Sequence, residues 1–127
     1  MKKVFPFLFV ILSCSKGHQE LVDKKLAECT TAIRLDPDDA CAYVERGSIY
    51  DDLGKYNIAI ADFTTAIRLD PDGADGSFCK MHAYHSRGIT YMNLGEYNTA
   101  IADFTTYFKL NPDGLVHIPT EGGHIIN

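Results

Sequence analysis

Tryptophan is absent from this 127-residue chain, and so is any stretch approaching the roughly 20 consecutive apolar residues that a bilayer-crossing helix needs. Clustered positive charge is scarce. Twelve Lys and Arg stand against 17 Asp and Glu, for a formal net charge of −5, and the only adjacent basic pairs are Lys2-Lys3 and Lys24-Lys25. Phosphate backbones are held by grouped Lys and Arg, so this balance argues against a nucleic-acid partner. Also missing are a glycine-rich phosphate loop, a nucleophile elbow, and two histidines at i, i+4 with a glutamate between them. No catalytic constellation is left, so the chain reads as a non-enzyme without a cofactor. What is present, 46% hydrophobic and 23% charged residues, is the composition of one small globular domain.

The first fourteen residues have the order of a targeting segment. Lys2-Lys3 makes a positive start, Val4 to Leu12 is a run of mostly large apolar residues, and Ser13-Cys14 precedes the polar stretch Ser15 to Glu20. That is the pattern of a short secretory signal. Pro6 argues against a helix of the domain proper, because proline breaks helix interiors. The segment resembles a bacterial lipoprotein signal, in which a small residue precedes a cysteine that is acylated on sulfur and becomes the new N-terminus. Ser13 and Cys14 fit that pattern; Leu12 is larger than usual. The resemblance implies a signal peptide over 1–13, lipidation of Cys14, a tether over 14–19, and a protein exported to the bacterial cell envelope and held on a membrane by its acyl chains. Ordinary signal cleavage without lipidation is the alternative.

The rest of the chain copies itself. Ser48 to Gly73 and Ile89 to Gly114 share 16 of 26 positions at an offset of 41, including Leu-Gly-x-Tyr-Asn-x-Ala-Ile-Ala-Asp-Phe-Thr-Thr in both. A shorter copy lies upstream: Cys29 to Pro37 repeats Phe63 to Pro71 at an offset of 34, differing only at Cys29. Helical spacing of Tyr43, Gly47 and Tyr50, a stop at Gly54, then Ile60, Phe63 and Ile67 at i, i+3, i+7 predicts two antiparallel helices. Small Gly47 and Ala59 let the backbones approach while Phe63 and the tyrosines fill the wider gaps. This period and these residues, Tyr43, Gly47, Tyr50, Ala59, Phe63, Ala66 and Pro71, then Tyr84, Gly88, Tyr91, Ala100, Phe104 and Pro112, resemble the tetratricopeptide repeat family. Tyr107 departs from the family's alanine. The resemblance implies an all-α, right-handed solenoid of helical hairpins, about two and a half repeats and five helices. It divides the domain at 20–114 into a half repeat (20–39), a repeat (40–73), a loop (74–80) capped by Ser77, and a repeat (81–114), followed by a tail (115–127).

The half repeat is expected as one helix from about Glu20 to Leu35. It carries Lys25 where the copies have Ala59 and Ala100, and Cys29 where they have Phe63 and Phe104. Both suit a face left open to water, so it is either a built-in cap, since terminal repeats are atypical, or a truncated copy. Cys29 and Cys41 are offset along antiparallel helices by too much to bridge, and free thiols are expected. Asp70 to Gly76 lacks the ligand and glycine positions of a calcium loop and reads as a turn. Cys79, His82 and His85 carry ligand side chains, but on a helix they diverge too far to close readily on one zinc, so no metal is assigned.

The family resemblance also implies a binding groove lined by the first helix of each repeat. Carried over by position, it comprises Cys41, Val44, Glu45, Ser48, Asp51 and Asp52, with His82, His85, Ser86, Ile89, Met92 and Asn93. Glu45 and Ser86 stand where a carboxylate clamp would place Asn and Arg, which disfavours a C-terminal carboxylate as ligand. Glu45, Asp51 and Asp52 are expected to face His82 and His85, giving a preference for Lys- or Arg-bearing partners that fades in mild acid. The function implied is a non-catalytic module binding a protein or peptide; the alternatives are a structural element self-associating through its open solenoid ends and, more remotely, a metal site at Cys79, His82 and His85.

Overall fold

The computed structural model describes residues 6–69 and 77–112, with side chains from Lys16 onward except that of Ser77, the expected cap of the loop. Five helices follow one another: α1 (Pro6–Leu35), α2 (Ala40–Asp52), α3 (Tyr56–Leu69), α4 (Ser77–Asn93) and α5 (Tyr97–Leu110). Among the described residues there is no strand. This is the expected all-α hairpin solenoid: α2 pairs with α3, α4 with α5, α3 packs on α4, and α1 rests mainly on α2. The side chain of Cys14, residues 74–76 of the expected loop and the tail at 115–127 lie outside the described residues.

The turns follow from local chemistry. Asp39 caps α2, its carboxylate accepting from the Cys41 and Ala42 amides at 3.0 and 3.3 Å, which satisfies two of the orphan donors at a helix start. Within each hairpin a glycine adopts positive φ, Gly54 at 78° and Gly95 at 81°, where a side chain is disfavoured. The next amide closes the turn on the preceding tyrosine carbonyl, Lys55 to Tyr50 at 2.8 Å and Glu96 to Tyr91 at 2.9 Å. The two hairpins are thus built alike from like residues.

Packing within the hairpins is close. A Cβ added at Gly47 would lie 2.8 Å from Cε1 of Phe63, and one at Gly88 would lie 2.9 Å from Cε1 of Phe104, so only glycine admits the ring. Ala59, Phe63, Ala66 and Ala83 are fully buried at the centre of the core, with Val44 and Cys79 beside them. Burial of a side chain such as Phe63 stabilises by about 1.5–3 kcal/mol.

A charged clamp repeats on the same interface. Arg46 holds both carboxylate oxygens of Asp62 at 2.8 and 2.9 Å, and Arg87 holds Asp103 at 2.8 Å twice. Arg87 also donates to Thr64 Oγ1 at 3.0 Å, tying the second hairpin to the first. The Thr90 hydroxyl, wholly buried, donates to Asp51 at 2.7 Å and joins α2 to α4.

Three expectations are corrected. First, α1 is one helix of 30 residues beginning at Pro6 rather than near Glu20; proline at the first helical position loses only an amide that has no intrahelical partner anyway. Second, Cys41 and Cys79 form a disulfide with a Cα–Cα distance of 5.2 Å, so the expectation of free thiols holds for Cys29 alone. Both bonded cysteines lie in the first turn of neighbouring helices α2 and α4, an adjacency that Cys29 and Cys41 do not share. Third, Cys29 is buried rather than open, its sulfur 4.0 Å from Glu45 of α2, while Lys25 is exposed.

Candidate functional site

A cleft of about 770 Å3 opens where α1, α2 and α4 meet. From α1 it receives Lys25, Glu28, Cys29 and Ala32, from α2 Cys41, Ala42, Val44, Glu45, Ser48 and Ile49, and from α4 Phe78, Cys79 and His82. Its floor is apolar, with Cys29, Ala42 and Val44 buried, and its rim carries Glu28, Glu45, Lys25 and His82. The position of the disulfide in the wall joins the two helices that define the cleft's far side.

Of the twelve positions carried over from the family, five line this cleft: Cys41, Val44, Glu45, Ser48 and His82. Asp52 belongs to a smaller hollow of about 240 Å3 with His18, Leu21, Val22, Lys25, Ile49 and Leu53. Asp51 is engaged by Thr90, and Ser86 gives its carbonyl to the same hydroxyl at 3.0 Å. Ile89, Met92 and Asn93 form an exposed strip on α4, away from the cleft. His85 turns to α5, its ring centroid 5.9 Å from that of Phe104 and 4.9 Å from that of Tyr107. Val44 and His85 occupy the same position of the repeat, and in both copies that position looks inward.

Of the expected confrontation of Glu45, Asp51 and Asp52 with His82 and His85, only Glu45 and His82 share the cleft; Asp51, Asp52 and His85 are engaged elsewhere. No histidine pairs with a carboxylate among the described residues. Burial, then the neighbouring charge of His82, hold the His85 imidazole below its ordinary value. Burial, then Glu45, raise the Cys29 thiol, which keeps it protonated and a poor nucleophile or metal ligand. The metal alternative also falls away: the Cys79 sulfur is bonded to Cys41, His85 is stacked on α5, and no metal-holding group of three or more His, Cys, Asp or Glu occurs among the described residues. No helix of those residues is long and apolar enough to cross a membrane.

Sequence reasoning missed the Arg46–Asp62 and Arg87–Asp103 clamps and the α1 wall of the cleft. A signal for the clamps was present, since both pairs recur at the offset of 41 with the same internal spacing.

Comparison with known proteins agrees with this geometry. Models of the tetratricopeptide repeat match residues 40–72 and 82–113, the spans of the two complete hairpins. Among solved structures, one described as the crystal structure of MamA protein superposes with a TM-score of 0.59 at 24% identity, covering 80% of this chain and 53% of that one. The chain thus spans about half the length of that protein, and at this identity the likeness speaks for the fold. No curated protein matches the chain.

Proposed function

Because the chain belongs to the tetratricopeptide repeat family, whose repeats serve protein–protein interaction, we propose that it is a non-catalytic module holding a peptide or protein surface in the cleft between α1, α2 and α4. The observation that carries this reading is the cleft itself, an apolar floor within a charged rim at the mouth of the solenoid. That combination supplies burial for affinity and polar groups for orientation. A photo-crosslinking residue at Ser48 should capture the partner, and one at exposed Arg68 on α3 should not; the reverse pattern would move the site to the other face.

We also infer that the protein is exported and anchored at the cell envelope through Cys14. The Lys2-Lys3 start, the apolar run to Leu12 and Ser13-Cys14 support this, as does the Cys41–Cys79 disulfide, since such bonds persist in oxidising compartments. In cells given a labelled fatty acid, Cys14→Ser should lose the label and change its membrane partition; unchanged labelling would remove the anchor.

Self-association is a second reading, favoured by the open face of α5, where Tyr97 is 63% and Ile101 60% exposed. Sedimentation across a concentration series decides it, a monomer throughout leaving no place for it.

A further inference from the structure

The complete hairpins are held by one device, and α1 carries half of it with no arginine opposite among the described residues. Arg46 clasps Asp62 one residue before Gly47 meets the Phe63 ring, and Arg87 clasps Asp103 one residue before Gly88 meets Phe104. At the offset of 34, α1 offers Glu28 in place of Asp62 and Cys29 in place of Phe63. The four residues it turns into the cleft, Lys25, Glu28, Cys29 and Ala32, are the counterparts of Ala59, Asp62, Phe63 and Ala66, the four buried residues of α3. A first helix of this repeat would fall on residues 6–19; residues 14–19, the part of that stretch kept when anchorage is through Cys14, continue α1 and do not form such a helix. Glu28 is exposed, without an ion pair or side-chain hydrogen bond among the described residues, whereas Asp62 and Asp103 are 5% and 4% exposed beneath their arginines.

We propose that the cleft takes a helix from a partner protein, seated on α1 and α2 as the absent first helix of this repeat. An arginine of that helix pairs with Glu28, and the residue after it is a larger apolar side chain resting over Cys29. This deepens the interaction role proposed above and rests on it. Three observations select the occupant. Glu28 and Glu45 outweigh Lys25 on the walls, which favours a basic ligand, and the forked guanidinium matches a carboxylate better than an ammonium does. Replacing a phenyl ring by the small thiol of Cys29 removes the clash that demands glycine at Gly47, so here the opposing position must be filled to avoid a void. A slot between helices presents side chains rather than a sheet edge, so an occupant must satisfy its own backbone hydrogen bonds, as a helix does.

The chain supplies the probe. A fluorescent peptide with the sequence of residues 39–54, carrying Cys41→Ser and Gly47→Leu, is titrated with the mature, disulfide-intact protein. Saturable binding is expected. It should weaken at least about tenfold, one charge-assisted hydrogen bond's worth, with Glu28→Gln in the protein or Arg46→Gln in the peptide. The two losses should not add, because they remove the same pair. In Cys29→Phe protein the preference should reverse, the glycine peptide binding better than the leucine peptide. Circular dichroism of Glu28→Gln, a change at an exposed site, should match wild type. Equal binding of a peptide with Ser48→Pro would overturn the helix while leaving the interaction role intact. No binding of the leucine peptide, indifference to Glu28→Gln, or additive losses would overturn the pairing, and a peptide-free dimer that buries Lys25 and Glu28 would put a second copy in the slot instead.

Discussion

Helices α3 and α5 share the segment Tyr-Asn-x-Ala-Ile-Ala-Asp-Phe-Thr-Thr, yet they inhabit different surroundings. α3 lies between α2 and α4, and its Phe63 is fully buried with Tyr56 and Ile60 half-covered; among the described residues α5 packs mainly on α4, leaving Phe104 half-buried and Tyr97 and Ile101 mostly exposed. The same letters therefore carry different energies. In a solenoid the neighbours decide what a residue contributes, because each repeat buries its face only against the next.

That comparison can be broken or sharpened by paired substitutions read by denaturant unfolding. The largest difference is expected at the ring: Phe63→Ala should destabilise by about 3–5 kcal/mol, in the range for a buried phenylalanine, and Phe104→Ala by clearly less. Equal losses would mean that α5 is covered as well as α3. Next come the clamps. Arg87→Met should cost about 2–4 kcal/mol, below a fully buried pair because each guanidinium keeps some water. Arg46→Met should cost less, since Arg46 is the more exposed of the two, 22% against 17%, and lacks the bond that Arg87 makes to Thr64.

The glycines reverse the usual logic of loss. Gly47→Leu should destabilise by about 1–3 kcal/mol through overpacking, and Gly88→Leu by less, because half-exposed Phe104 can yield where enclosed Phe63 cannot. Melting curves of the two that coincide would show that both rings are equally confined.

The smallest effect belongs to His85. Its imidazole is held below the ordinary value near 6.5, so between that value and the lower folded one the unfolded chain binds a proton that the folded chain refuses. Stability is full above about pH 6.5 and declines as pH falls through that window. His85→Gln should flatten the decline in melting temperature between neutral and mildly acid buffer; an unchanged slope would assign the response elsewhere.

The fold was legible because its determinants are local or repeated: glycine opposite phenylalanine, a turn glycine after each first helix, and one pattern written twice. The cleft was half legible. Position 44 and position 85 were assigned to the groove by carrying positions over from the family, and how far each one turns toward its partner helix depends on packing that the carry-over does not encode. Hence Val44 entered the core and His85 stacked on Tyr107. The Cys41–Cys79 bond, across a sequence separation of 38, was missed for a related reason: it joins first helices of successive copies, whose adjacency is a matter of tertiary packing and not of local pattern.

That bond and the Thr90–Asp51 contact fasten α2 to α4 near opposite ends, Cys41 and Asp51 lying ten positions apart on α2. Two fasteners on one pair of rods fix the angle between them, where one would leave a pivot. The angle between two walls of the cleft is thereby fixed within the fold itself, so a ligand held there as proposed would not bear the entropy of shaping it. One fastener is covalent and reducible, the other is a single hydroxyl proton, so reduction would leave α2 and α4 joined directly by the Thr90–Asp51 contact and indirectly through α3, which packs on both.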